Sequence, residues 1–116
     1  MYQKYDIVFA DLNPKKWHTQ SWKRPCVVIQ SNIFNPHAPT LVLVPLTSNI
    51  KPPFPSEFII EASSANWLST DSRFLWSQII TVDKSFIVET IWSLEEKYYE
   101  LVKHSIQTVL DIDDEF

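Results

Sequence analysis

Arg24 and Thr47 are the two residues whose types and positions best suit a single chemical task. Arg24 stands where one apolar, β-branched run begins, and Thr47 stands where the next such run ends, so each is predicted at a strand terminus. If these two strands are neighbours, both side chains can face one pocket. A guanidinium offers a rigid fork of donors that fits a phosphate, and a hydroxyl adds another donor. The pair therefore indicates a phosphate-binding pocket.

A polar and aromatic stretch leads into Arg24. Residues 17–25 contain two Trp, a His, two hydroxyl side chains, an amide, a Lys and an Arg. Further hydrogen-bonding groups and stacking rings are available in the chain at Gln20, Ser48, Gln78, Trp17, Trp22 and Phe54. Such a set suits a single-stranded RNA site. The same stretch can also be interpreted as a solvated hairpin loop whose Trp rings cover the core.

Length and composition favour one small domain. At 116 residues, 45% hydrophobic and 21% charged, the chain has ordinary globular values, and residues 1–116 are predicted to form a single unit. No signal peptide and no apolar run of ~20 residues is present, and the lone Cys26 has no partner for an internal disulfide. We therefore expect a soluble, cytoplasmic protein with no membrane contact, in which Cys26 is a small buried hydrophobe.

The net charge of −4 is distributed unevenly along the chain. Residues 1–53 carry six basic and two acidic side chains, whereas residues 54–116 carry four basic and twelve acidic ones. The overall acidity argues against a non-specific DNA-coating protein but allows a local anion site. Residues 111–116 are predicted to be a mobile acidic tail.

The chain contains no glycine and eight prolines. Its turns must therefore use Pro, Asn, Asp and Ser, and we expect any position that requires a positive φ to be held by Asn or Asp. No glycine-rich phosphate loop can exist. His18, His37, His104 and Cys26 show no metal-ligand spacing, so neither a metal nor another cofactor is predicted.

Apolar runs separated by turn residues predict a mainly β fold that ends in a helix. The predicted strands cover residues 6–12, 25–30, 40–46, 57–61, 73–80 and 86–88. Ser93 and Glu96 have the spacing of a capping box, and apolar residues then recur every three or four positions up to Val109. The expected fold is a small, partly open β-barrel with a C-terminal helix.

The order of short motifs along the chain resembles the MazF/PemK family of bacterial toxins, the mRNA interferases of type II toxin–antitoxin systems. The matching segments are Tyr5-Asp-Ile-Val-Phe-Ala-Asp-Leu-Asn-Pro14, Arg24-Pro25, Gln30-Ser-Asn-Ile-Phe-Asn35, Val44-Pro-Leu-Thr-Ser-Asn49, Phe54-Pro-Ser-Glu57, Ser77-Gln78 and Thr81-Val-Asp-Lys84. They cover nearly the whole sequence. Together they are more specific than any one of them.

The resemblance implies that the barrel is SH3-like, of the CcdB/PemK type. It also implies a homodimer that cleaves single-stranded RNA, including mRNA, at a short sequence. It implies a reaction without metal that leaves a 2′,3′-cyclic phosphate and a 5′-hydroxyl. It also implies neutralisation by a cognate antitoxin whose acidic C-terminal segment occupies the RNA groove.

By position in the family's motifs, Arg24 and Thr47 match the central catalytic pair, and His18 falls where some members have a His that assists the chemistry. Gln78 matches a family position that contacts RNA. We expect further RNA contacts from eight other residues: Trp17, Thr19, Gln20, Trp22, Lys23, Ser48, Phe54 and Ser77.

The chain also departs from the family pattern. Trp17, Thr19 and Trp22 replace small or acidic loop residues, Ser77 stands where many members have a carboxylate, and Leu75 stands where some have a catalytic Arg. These changes leave an alternative open, in which the chain is a catalytically degenerate module that binds RNA or an antitoxin. The related CcdB toxins, which poison gyrase through a C-terminal Trp-Gly-Ile end, are a poorer match because this sequence ends Asp-Asp-Glu-Phe.

Overall fold

The computed structural model describes residues 1–12, 23–50 and 57–112. Within these residues lie seven strands and one α-helix: β1 Asp6–Asp11, β2 Lys23–Val28, β3 Thr40–Thr47, β4 Ile59–Ile60, β5 Ser72–Phe74, β6 Ile80–Asp83, β7 Ile87–Ser93 and α1 Tyr99–Leu110. Short 3₁₀ turns cover Trp76–Gln78, Lys84–Phe86 and Glu96–Tyr98. The predicted class, mainly β with a C-terminal helix, is confirmed.

The strands form one open antiparallel sheet in the order β4-β5-β3-β2-β1-β7. The central strand β3 pairs with β2 on one edge, and its other edge is shared by β6 along residues 40–43 and by β5 along residues 46–47. Pro45 falls in the gap between these two partners, where its carbonyl accepts a hydrogen bond from the Leu75 backbone at 3.1 Å. A residue that cannot donate is tolerated there because no strand pairs with it on that edge.

Apolar side chains are buried on both faces of the sheet. On one face, Ile7, Val27 and Val44 belong to a cluster that Tyr98 and Val102 join from the C-terminal segment. The opposite face carries a second cluster built on the next residues along the same strands, including Val8, Cys26 and Leu43. Alternation along a strand explains the division, since successive side chains point to opposite faces. The continuous apolar run in β2 was correctly interpreted as a strand buried on both sides.

The predicted capping box is wrong. Ser93 is the last residue of β7 and lies opposite Asp6 in the sheet, while α1 begins at Tyr99 after a 3₁₀ turn. Sheet pairing prevails over the local capping signal because it satisfies backbone groups that a side-chain cap would leave unpaired. At twelve residues α1 is short, and in the part of the chain described here no helix is long and apolar enough to cross a membrane.

Three strand predictions also change. The strand expected over residues 73–80 is broken by the turn Trp76–Gln78 into β5 and β6, because each half pairs with a different stretch of β3. The strand expected over 57–61 is reduced to Ile59–Ile60, and the one expected over 86–88 extends to Ser93. The long pairing of β7 with β1 explains this last extension.

Positive φ angles occur at Tyr5, Trp67 and Asp111 among the described residues. Only Asp111 matches the expectation that Asn or Asp would hold such positions. It ends α1 with φ of 54°, and the backbone N–H of Ile112 bonds the Gln107 carbonyl at 2.9 Å. The Asp111 N–H also bonds the Thr108 carbonyl, at 3.4 Å. The two bonds form a Schellman-type cap, so residues 111 and 112 complete the helix end. The rest of the predicted tail, residues 113–116, lies outside the described chain.

Candidate active site

A cavity of about 470 Å³ opens where β2 begins, β3 ends and β5 begins. Each of these strand ends contributes to its wall, and β1, β7 and the loop before β5 complete it. The lining residues are Phe9, Lys23, Arg24, Pro25, Leu46, Thr47, Ser48, Trp67, Leu68, Ser69, Thr70, Ser72 and Glu89. The cavity is therefore built from segments that are far apart in sequence and are brought together by the sheet.

Two prolines stand where β2 and β3 cease to pair. The recorded register runs from Val28–Leu43 to Cys26–Pro45 and stops there. Pro25, the next residue of β2, has no backbone N–H to donate, so the ladder loses a donor at this point. On its other edge, β3 continues to pair beyond this point, with β5 at Leu46 and Thr47. The space left between the ends of β2 and β3 belongs to the cavity.

Arg24 and Thr47 both line this cavity. Each stands two positions beyond the last residue pair of β2 and β3, Cys26 and Pro45. Arg24 is half-buried and lies opposite Ala10 on β1, which fixes its backbone. The Thr47 hydroxyl accepts the Asn49 backbone N–H at 3.2 Å, a local turn that fixes the hydroxyl oxygen. A hydroxyl that accepts one bond can still donate its proton to an anion.

The electrostatics of the lining favour an anion. Lys23 and Arg24 contribute two positive charges, and Glu89 is the one acidic side chain among the described lining residues. Ser48, Ser69 and other hydroxyl residues of the lining add neutral donors. A phosphate group placed here would meet a guanidinium fork and several hydroxyls, as the sequence predicts for Arg24 and Thr47.

Cys26 follows Arg24 and Pro25 in β2 but is not among the residues that line the cavity. Its side chain is fully buried, and its thiol lies 3.5 Å from the Arg24 carbonyl. Burial raises the pKa of the Cys26 thiol to about 12, although the nearby Arg24 charge acts in the opposite direction. A thiol that remains protonated is a poor nucleophile. The structure therefore supports the interpretation of Cys26 as a packing residue.

An aromatic pair stands at the rim of the cavity. Trp67, which lines the cavity, and Trp92 on β7 have ring centroids 5.6 Å apart and planes inclined at 35°. Both are exposed, Trp67 by 62% and Trp92 by 48%. Neither residue is among the predicted site residues. The hydroxyl residues that surround Trp67, within Ser63–Ser72, are the sequence signal that could have indicated this part of the cavity.

The structure brings together only part of the predicted set. Lys23, Arg24, Thr47 and Ser48 line the cavity. Ser77 and Gln78 are exposed on the 3₁₀ turn and are not among its lining residues. The other predicted site residues lie outside the described chain: Trp17, His18, Thr19, Gln20, Trp22 and Phe54.

The described residues offer no metal site. Within residues 1–12, 23–50 and 57–112, no three side chains of His, Cys, Asp or Glu come together in a way that could hold a metal ion. His37 and His104 are both exposed. Metal independence of the reaction stays a prediction.

Comparison with known proteins identifies the class of protein to which this fold and cationic cavity belong. Residues 3–110 match the family model described as PemK-like, MazF-like toxin of type II toxin–antitoxin system. The chain is 33% identical to Endoribonuclease MazF of Staphylococcus saprophyticus over 113 residues, an alignment that covers 97% of this chain and 93% of that protein. It is 33% identical over 110 residues to Endoribonuclease EndoA of Bacillus subtilis, with 94% of each chain covered. The chain belongs to the PemK-like, MazF-like toxin family.

Solved structures share the fold. The toxin MazF-mt6 of Mycobacterium tuberculosis superposes with a TM-score of 0.77 at 18% identity, covering 93% of this chain and 98% of that one. A mycobacterial endoribonuclease in complex with its cognate antitoxin gives a TM-score of 0.79 at 15% identity, covering 97% and 98%. At identities this low, the structural similarity shows a shared fold and nothing more.

Proposed function

We propose that the cavity cleaves single-stranded RNA, mRNA included, at a short specific sequence and without a metal ion. The chain is an endoribonuclease of the toxin family to which it belongs. One observation carries the proposal about mechanism: Arg24 and Thr47 line a single cationic cavity from the ends of two adjacent strands.

The proposed reaction is an internal transesterification. The 2′-oxygen of one nucleotide attacks the adjacent phosphorus, and the bond from phosphorus to the 5′-oxygen of the next nucleotide breaks. The 2′-hydroxyl gives its proton to a base, and the leaving 5′-oxygen gains one. The products are a 2′,3′-cyclic phosphate and a 5′-hydroxyl. Negative charge builds up on the non-bridging phosphoryl oxygens in the transition state, so fixed donors aimed at those oxygens accelerate the step.

We assign the charge stabilisation to Arg24, because a guanidinium is a cation that carries a fixed fork of N–H donors. Thr47 donates its hydroxyl proton to a phosphoryl oxygen. His18 is the proposed general base, because an imidazole titrates near neutral pH. Lys23 and Ser48 contact neighbouring phosphates or sugars. The proposed base and sugar contacts are completed by Trp17, Thr19, Gln20, Trp22, Phe54, Ser77 and Gln78.

The proposal extends to partners and context. The cognate antitoxin would place an acidic C-terminal segment against Lys23 and Arg24, competing with RNA for the same charges. We further propose that the chain is a cytoplasmic homodimer with one domain per subunit and a groove for RNA across the two subunits. Light scattering coupled to size-exclusion chromatography tests the dimer directly.

The test of function is cleavage of a long RNA by the pure, antitoxin-free protein in the presence of EDTA. Arg24→Ala removes the main stabilising donor and should slow cleavage about 10²- to 10³-fold. Arg24→Lys keeps the charge but loses the fork, so it should recover only part of that loss. Thr47→Val, which keeps the shape of the side chain and removes the hydroxyl, should slow cleavage without changing the cut sites.

Product chemistry tests the mechanism. The 5′-hydroxyl ends should accept phosphate from polynucleotide kinase without prior phosphatase treatment. The 3′ ends should be lighter than a linear phosphate by one water in a mass spectrum. An oligonucleotide carrying a 2′-deoxy nucleotide at the cut position should not be cleaved. Tight RNA binding by the wild type without any product would instead indicate a degenerate binding module, and a requirement for added metal would contradict the mechanism.

A further inference from the structure

Trp67, one of the two exposed Trp residues beside the cavity, has a strained backbone that side-chain packing alone does not explain. Trp67 adopts φ of 55°, a left-handed conformation in which a side chain with a Cβ is strained. Its ring is nevertheless 62% exposed, so the strain is not offset by deep burial of the indole. Strained residues persist where the surrounding structure holds them in place, and they cluster at functional sites.

A buried polar network holds Trp67 in this conformation. The fully buried Asn66 donates to the Glu61 carbonyl at 2.9 Å and to the Glu95 carboxylate at 2.8 Å. Its amide oxygen accepts the backbone N–H groups of Ser63 and Leu68, the latter directly after Trp67. The Trp67 backbone itself donates to the Ser63 carbonyl at 2.9 Å. The indole is therefore presented from a turn that is fixed on both sides.

We propose that Trp67, backed by Trp92, is a stacking platform for one nucleobase of the RNA whose phosphate occupies the cavity. This inference rests on the proposed function and adds a base-binding subsite to it. Trp67 lines the same cavity as Lys23 and Arg24, so one ligand can meet a flat aromatic face and two cations together. A nucleotide has both parts, a planar base and a phosphate, joined by a sugar.

The ring geometry determines how the base binds. A base sandwiched between two indoles would require about 7 Å between them, twice the ~3.4 Å of a stacked step. The centroids of Trp67 and Trp92 are 5.6 Å apart, and their planes are inclined at 35°. The two rings therefore support each other, and the base stacks on the open face of Trp67. Trp92, on the edge strand β7, limits the rotation of that ring.

The experiment uses an uncleavable RNA oligonucleotide with a 2′-deoxy nucleotide at the mapped cut position, and its binding is measured by fluorescence anisotropy. Trp67→Gly is the informative variant because glycine accepts the positive φ without strain. The fold should be retained, while loss of one stacked base should weaken binding about 5- to 150-fold. Trp67→Asn, which also tolerates this conformation, provides a second variant. Phe34→Ala removes another exposed aromatic away from the cavity and should bind as the wild type does.

Abasic substitutions in the RNA identify the base. Replacing each nucleotide in turn by an abasic residue should reveal one position, next to the cut, at which wild-type binding weakens to a similar degree. In Trp67→Gly the same abasic residue should have little further effect, because the ring and the base form one contact. If an abasic residue at that position weakens binding equally in the wild type and in Trp67→Gly, the proposed stacking platform is refuted.

Other outcomes separate this proposal from the proposed function. If the wild type cleaves RNA and Trp67→Gly binds and cleaves equally well, the platform is refuted and the function stands. If Trp67→Gly retains RNA binding but loses the antitoxin, or its oligomeric state changes, the pair is a protein contact and the inference is wrong. If the wild type neither binds nor cleaves RNA, both proposals fail.

Discussion

Asn66 provides a sharp test of how much stability one buried amide can supply. Its side chain makes four hydrogen bonds: to the Glu61 carbonyl, to the Glu95 carboxylate, and from the backbone N–H groups of Ser63 and Leu68. Asn66→Ala removes all four at a fully buried position. The Glu95 carboxylate then keeps the hydrogen bond that it accepts from the Ser63 hydroxyl at 3.0 Å.

The expected loss is a large part of the protein's stability. A neutral hydrogen bond contributes about 1 kcal/mol net, and one to a charged group contributes about 1.5–3 kcal/mol. The four together suggest about 5 kcal/mol, and entry of water into the loop reduces this to about 3–5 kcal/mol. Against a typical total of roughly 5–15 kcal/mol, such a loss should lower the urea midpoint by about 2 M.

Urea unfolding followed by fluorescence measures this loss, and near-ultraviolet circular dichroism reports the environment of the aromatic rings, Trp67 and Trp92 included. Both signals should change in Asn66→Ala. The matched control is Asn32→Ala, since Asn32 also accepts two hydrogen bonds but is exposed, and its replacement should cost less than about 1 kcal/mol. A loss below about 1 kcal/mol in Asn66→Ala, with an unchanged dichroism spectrum, would refute the role given to this network.

Asn66→Asp gives the same site a pH dependence. It places a carboxyl 2.8 Å from a Glu95 oxygen, and two carboxylates at that distance raise the pKa of one of them. A group whose pKa is raised on folding contributes stability at low pH and loses it as the pH rises. The variant should therefore be closest to the wild type in stability at about pH 4 and weaken progressively towards pH 7.

Two further predictions concern buried groups near the sheet. Burial raises the pKa of the Cys26 thiol to about 12, so a maleimide reagent should label this thiol only after unfolding, and labelling of the native protein at neutral pH would contradict this. The contribution of Cys26 to stability should also decline as the pH rises above about 9, where the thiol of the unfolded chain ionises. The Arg73 and Glu57 side chains form an ion pair at 3.5 Å and are only 15% and 2% exposed. Arg73→Met leaves the Glu57 charge buried without this partner, so it should lower the free energy of unfolding, measured with urea, by about 3 kcal/mol, and adding Glu57→Leu should recover much of that loss. A double variant no more stable than Arg73→Met would show that the broken ion pair is not the cause of the loss.

The sequence predicted the parts of the site that local pattern and strand order determine. Arg24 and Thr47 were placed at the ends of consecutive apolar runs, and the antiparallel pairing of β2 and β3 brings both to one cavity. The apolar pattern around Cys26 also predicted correctly that β2 is buried on both faces. These features depend on alternation and on chain order, which a single sequence displays directly.

The features that were missed depend on contacts between distant segments. Trp67 joins the cavity because Asn66 bonds Glu95, a residue 29 positions further along the chain. The capping signal at Ser93 was overridden by the pairing of β7 with β1. Gln78 lies on a 3₁₀ turn because two strands share one edge of β3. No local window of sequence contains both partners of any of these contacts.

The absence of glycine has a consequence for the unfolded chain. An average chain of 116 residues would have about eight glycines, each adding roughly 0.4–1 kcal/mol of backbone entropy that folding must overcome. A chain without them starts from a stiffer denatured ensemble, which favours folding by several kcal/mol. The left-handed backbones of Tyr5, Trp67 and Asp111 oppose this gain, each by roughly 1–2 kcal/mol. Introducing glycine at any of the three would therefore relieve strain in the folded state and loosen the unfolded state in the same substitution.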